Sequence, residues 1–103
     1  MNGLTFEFVR SGNELVVQCG GKLNTNTVSE LTEEIEKRMD GVEKLTIDFS
    51  ELAYLSSSGL RLIVELHKNM NKIGGDLVLR HLNDEVMDIF ELTGLTSFMH
   101  IEN

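Results

Sequence analysis

The chain predicts an α/β fold: a small sheet, opened by an N-terminal hairpin and continued by parallel strands, with its helices packed on one face. Three observations lead there. Strand-like and helix-like apolar periods alternate along the chain in the order ββαβαβαβ. Leu45, Ile47 and Phe49 alternate with Thr46, Asp48 and Ser50, which predicts one wet face, whereas a parallel sheet covered on both faces shows continuous apolar runs. Finally, 103 residues without a proline leave room for one core and no linker, so residues 1–103 read as a single domain.

The elements follow in order. Residues 5–10 and 14–19 have strand character and are joined by Ser11, Gly12 and Asn13, a glycine-containing hairpin loop. After Gly20 and Gly21, the apolar residues Val28, Leu31, Ile35 and Met39 recur at helical spacing. Glu33 to Lys37 and Glu34 to Arg38 are available as i,i+4 pairs, and Gly41 closes this first helix. The alternating strand at residues 45–50 comes next. A second helix is expected over about residues 57–71, with Leu60, Ile63, Val64 and Met70 toward the core and Gly74-Gly75 as its end. Residues 77–79 form the next strand. Asn83 caps a third helix carrying Val86, Ile89 and Phe90, with Asp84 and Glu85 in the first turn where the dipole favours them, and Gly94 terminates it. Residues 98–101 are a last short strand. Each strand-helix-strand unit is expected to be a right-handed crossover, and crossovers that step the same way put every helix on one face.

Composition excludes several classes. The net charge of −8 repels phosphate backbones, so direct nucleic-acid binding is not expected, and a basic or mixed-charge protein surface is the more natural partner. No apolar run approaches the roughly 20 residues of a membrane span, so membrane insertion is not expected either. Met1, Asn2, Gly3 and Leu4 lack the basic start of an export signal, which makes the cytoplasm the expected compartment. The single cysteine, Cys19, lies in an apolar stretch and reads as a buried thiol. His67, His81 and His100 have no ligand spacing, so no metal is expected. Phosphate-loop and dinucleotide glycine patterns and the hydrolase serine elbow are absent, and with them any expectation of a cofactor or of an enzyme.

One segment remains: Leu52-Ala53-Tyr54-Leu55-Ser56-Ser57-Ser58-Gly59-Leu60, where three hydroxyls meet a helix start. One serine suffices as an N-cap. The surplus, beside a glycine that allows close approach at a helix end with free N–H groups, suggests a functional loop, and capping alone explains it equally well.

Five pieces of the chain, taken together, resemble a STAS domain of the bacterial anti-sigma factor antagonist family. They are Gly21-Lys22-Leu23-Asn24, Leu45-Thr46-Ile47-Asp48-Phe49, Leu55-Ser56-Ser57-Ser58-Gly59-Leu60, Ile73-Gly74-Gly75-Asp76-Leu77-Val78-Leu79 and Ile89-Phe90-Glu91-Leu92-Thr93-Gly94-Leu95. The resemblance covers essentially the whole chain and implies a STAS-like α/β fold with helices on one face. It further implies that Ser58, next to the glycine, is the phosphoacceptor, with Ser57 in reserve. The implied partners are an anti-sigma factor that is also a serine kinase of the ATPase type and a serine phosphatase that resets the switch; the unphosphorylated form binds the anti-sigma factor and frees the sigma factor.

Two positions depart from the family: Ser56 stands where the family has an acid, and Asn24 where it often has aspartate. The altered Ser56 keeps an alternative open, a STAS accessory subunit of a lipid-transport ABC complex that holds its ATPase without phosphorylation. The family also commonly adds a helix after the final strand, and with Asn103 last, one edge of the sheet is expected to be less covered. Loops after the carboxyl ends of parallel strands share a rim. The expected docking surface therefore joins Lys22, Leu23 and Asn24 to Ser56, Ser57, Ser58, Gly59 and Arg61, with Leu23 as an apolar anchor and Lys22 and Arg61 meeting acidic groups. Ordinary solvation accounts for the two basic residues equally well.

Overall fold

Alternating apolar side chains build the hairpin first. In the computed structural model, which describes residues 3–102, β1 (Leu4–Ser11) pairs antiparallel with β2 (Glu14–Leu23), from Ser11 opposite Glu14 to Leu4 opposite Gly21. Gly12 makes the turn at a φ of 61°, a conformation that glycine adopts without a steric penalty. Met1 and Asn2, which enter the expectation about an export signal, and Asn103 lie outside the described residues.

The remaining elements are α1 (Val28–Glu36), β3 (Lys44–Leu55), α2 (Ser57–Lys72), β4 (Asp76–Arg80), α3 (Asp84–Leu92), a 3-10 turn (Leu95–Ser97) and β5 (His100–Glu102). The sheet order is β1-β2-β3-β4-β5, with the last three pairings parallel. Every crossover moves one strand in the same direction, so a common handedness places all three helices on one face, as the periodicity predicts. That face holds the core. Leu15 and Val17 of β2, Leu45, Ile47 and Phe49 of β3 and Leu77 and Leu79 of β4 are buried with Leu31, Ile35, Ile63, Met70, Val86 and Phe90 of the helices. Full burial of each such side chain contributes about 1.5–3 kcal/mol. No helix among the described residues is long and apolar enough to cross a membrane.

The structure corrects several expectations. Both central strands are longer than their apolar alternation: β2 continues through Gly20 and Gly21 to Leu23, and β3 continues past Phe49 to Leu55. Register shifts near Gly20 and Gly21 let the two strands stay paired. The glycines serve close approach here rather than ending the strand, since a Cβ on Gly21 would overlap the Gly3 carbonyl. Of the polar face of β3, Ser50 is exposed as expected, but Thr46 and Asp48 are not wet. Thr46 and Asp48 are only 1% and 4% exposed, because β3 is the central strand and its neighbours cover them. The Asp48 carboxylate accepts from the Ser50 N–H at 2.9 Å and lies 3.1 Å from His81 Nδ1 and 3.5 Å from Arg80 Nε. Burial works to raise the Asp48 pKa, but the Ser50 and His81 interactions outweigh it and hold the carboxyl below its ordinary value.

The first helix ends at Glu36, with Met39 in the following turns and Gly41 at a φ of 76°. Glu34, not Glu33, takes Lys37, at 3.0 Å, and also Arg38, at 2.8 Å. In α2 the buried stripe is Gly59, Leu62, Ile63, Leu66 and Met70, while Leu60 and Val64 flank it half-buried. The last strand begins at His100, and Phe98 stays exposed because the 3-10 turn uses the intervening chain. Cys19 is buried as expected, with its thiol pushed up to about 12 by burial and then by the charge of Asp48.

Candidate functional site

The serine cluster divides its labour. Ser56 is the N-cap of α2: its backbone is extended (φ −87°, ψ 173°), and its Oγ accepts the Gly59 N–H at 3.1 Å. Its own N–H donates to the Leu23 carbonyl at 2.9 Å and so ties the end of β3 to the end of β2. An aspartate at this position would cap about equally well, so the cap by itself does not require an acid here. Ser57 and Ser58 are the surplus. Ser57 is exposed and Ser58 half-buried at the first two positions of the helix.

The turn before α1 is built by Asn24. Its side-chain oxygen accepts from the N–H groups of Asn26 (2.9 Å) and Thr27 (3.2 Å), and Thr27 Oγ1 donates to the Lys22 carbonyl at 3.0 Å. The Asn24 side-chain oxygen is therefore spent on its own turn, an acceptor role that an aspartate would also fill.

The two segments meet on one rim: besides the Ser56 N–H to Leu23 carbonyl bond, they make two further contacts. The Gly59 backbone packs on Leu23, whose Cγ and carbonyl oxygen would both lie 3.0 Å from a Cβ added at Gly59. At the surface, Thr25 Oγ1 lies 2.8 Å from Ser58 Oγ. The remaining expected residues separate. Leu23 is 0% exposed and Gly59 is buried, so the apolar anchor expected of Leu23 lies in the core, where the β2 pleat and the approach of α2 enclose it. Lys22 is exposed but alternates with Leu23 along the strand, opposite Tyr54, and so points to the helix-free side of the sheet, away from the serines. Arg61 stays with them. It lines a groove of about 390 Å³ with Val28, Thr32, Ser58, Leu62 and Glu65, and a second groove of about 580 Å³ shared with Ser57. Ser58 therefore faces the cleft between α1 and α2, while Ser57 faces the one toward the 3-10 turn.

Thr25 was not among the expected residues. Its signal was nonetheless present: the hydroxyl-rich stretch Thr25-Asn26-Thr27 follows Asn24 directly and lies on the rim that carries the serines. Among the described residues, no three His, Cys, Asp or Glu side chains gather closely enough to hold a metal ion.

The model of the STAS domain family matches residues 5–103. An anti-sigma-B factor antagonist of Staphylococcus aureus is 34% identical over 86 residues, which cover 82% of this chain and 80% of that protein. In fold, the chain is similar to the anti-sigma factor antagonist SpoIIAA in its unphosphorylated form, with a TM-score of 0.83 at 20% identity over 96% of this chain and 89% of that one. It is also similar to the Bacillus cell fate determinant SpoIIAA in its phosphorylated form, with a TM-score of 0.77 at 19% identity over 96% and 92% of the two chains. A family match from β1 to the end of the chain, with that level of identity to a curated relative, makes this protein a member of the STAS domain family, among the bacterial anti-sigma factor antagonists.

Proposed function

We propose that the protein binds an anti-sigma factor when unphosphorylated, and that phosphorylation of Ser58 by that factor, a serine kinase of the ATPase type, ends the complex. A serine phosphatase restores the binding form, and the cycle runs in the cytoplasm. The observation that carries this reading is the placement of Ser58: a half-exposed hydroxyl in the first turn of α2, beside Arg61 and over the α1/α2 cleft. A phosphoryl group there adds about −1.5 to −2 charges. The helix start tolerates that charge locally, because its dipole and free N–H groups favour anions. A desolvated interface built around a neutral serine does not, and the loss is roughly 2–5 kcal/mol. Two further features support the reading. The neighbouring SpoIIAA has been described in both unphosphorylated and phosphorylated forms. Ser56 caps α2, a role that aspartate fills about equally well, which supports this reading over that of a phosphorylation-independent transporter subunit.

The docking surface in this proposal consists of Asn24, Ser57, Ser58 and Arg61 on the rim where the α1 turn meets the start of α2, with Leu23 and Gly59 as its buried support. Incubation with the cognate anti-sigma kinase and ATP is expected to add one phosphoryl group, and Ser58→Ala to abolish it. Calorimetric titration is expected to give tight binding for the unmodified and Ser58→Ala proteins and weak binding for the phosphorylated and Ser58→Asp proteins. Equal affinity of all four, with the fold intact, places the interface elsewhere.

A further inference from the structure

We propose that Thr25, through its 2.8 Å hydrogen bond to Ser58 Oγ, is a positioning residue that selects Ser58 over Ser57 as the acceptor. The inference rests on the acceptor role given to Ser58 above and names what enforces it. Two adjacent serines open α2, and family position alone does not separate them physically. The structure does. Ser58 is held by a hydroxyl from the α1 turn, whereas the Ser57 hydroxyl has no hydrogen-bond partner among the described residues and lines a different groove. The Thr25 side chain is also not required by its own turn, whose bonds come from Asn24 and Thr27. Its one side-chain hydrogen bond among the described residues reaches 33 positions along the chain to Ser58.

In the transfer, Ser58 Oγ forms a bond to the γ-phosphorus of ATP held by the kinase. The bond from that phosphorus to the β,γ-bridging oxygen breaks, ADP leaves, and the serine proton passes to a base of the kinase. Thr25 touches none of the bonds that change. When Thr25 Oγ1 donates its proton to Ser58 Oγ, the serine oxygen is fixed in one rotamer, with its second lone pair free for attack and its own proton free for the kinase base. Once Ser58 is phosphorylated, Thr25 remains a donor, to Oγ or to a phosphoryl oxygen.

A serine side chain has three staggered wells, so losing the selection of one costs about threefold, and misplacing the nucleophile by about 1 Å costs up to a hundredfold. With cognate kinase and ATP, Thr25→Val is therefore expected to lower kcat about tenfold with KM near wild type. Fragment mass spectrometry is expected to show phosphate moving from Ser58 toward Ser57. Thr25→Ser, which keeps the hydroxyl, is expected to restore both rate and site, and Thr25→Ala to reproduce the valine result if valine perturbs the fold. Wild-type rate and site in both hydroxyl-free variants overturn the inference while leaving Ser58 as acceptor, and so does a serine variant that behaves like valine or phosphate found on Thr25 itself. Absence of transfer to wild-type Ser58 overturns the acceptor role and the role of Thr25 with it.

Discussion

Replacing Gly59 with alanine asks whether the glycine at the start of α2 serves packing or admits a partner. Its Cβ would stand 2.7 Å from Leu55 Cδ1 and 3.0 Å from both Leu23 Cγ and the Leu23 carbonyl oxygen. Leu55 can turn its methyl aside. Leu23 cannot retreat as easily, because it is fully buried and its carbonyl already accepts the Ser56 N–H that joins the two strand ends. Overpacking of this kind costs about 1–3 kcal/mol. Alanine recovers about 1 kcal/mol over glycine in a helix interior, which leaves a net loss of about 1 kcal/mol. For a domain of this size that lowers Tm by roughly 4–8 °C. Thermal unfolding followed by far-ultraviolet circular dichroism measures it. A double variant with Leu55→Ala should show a coupling that relieves part of the Gly59→Ala loss, since the nearest clashing atom is gone. A Gly59→Ala protein as stable as wild type or more so refutes the packing explanation and returns the glycine to partner approach. A binding defect in the bulkier Gly59→Val is informative only beside its Tm, because valine forces two more methyl groups into the same seam.

Two further outcomes are expected. Ser56→Ala should lose about 1 kcal/mol in urea denaturation by leaving the Gly59 N–H without its cap, whereas Ser56→Asp should stay near wild type; equal losses in both would show that the cap is not what Ser56 supplies. Asp48 is held below its ordinary pKa when folded, so its stabilisation is present above the unfolded value of about 4 and is lost as the pH falls through the lower, folded value. Urea midpoints measured as the pH is lowered should fall less steeply for Asp48→Asn than for wild type, and parallel curves would contradict the shift.

Local chemistry made much of this protein readable in advance. Asn83 caps α3 as expected, its Oδ1 accepting the Val86 N–H at 2.8 Å, because a cap depends on residues within one turn. The side-chain period of 2 in Leu45, Ile47 and Phe49 likewise marked the face that meets the helices. Where pairing partners are distant, the same signals misled. Gly20 and Gly21 look like a turn, yet they continue a strand because β1 and β3 approach too closely for a side chain. Thr46 and Asp48 look wet, yet the neighbouring strands bury them. At the candidate site, the serines, the glycine and Asn24 were legible as residue types, and both Lys22 and Leu23 stood in the expected docking surface.

The sequence by itself therefore determined the α/β order, the helices on one face and the serine cluster at a helix start, since each is written in side chains that are neighbours along the chain. Tertiary structure alone decided that Leu23 is core, that Lys22 faces the other side of the sheet, that Ser56 is the cap and that Thr25 holds Ser58. Those outcomes depend on the register between β2 and β3 across their bulge, which sets the residues before α1 against those at the start of α2, a contact between positions 33 residues apart that no local period encodes.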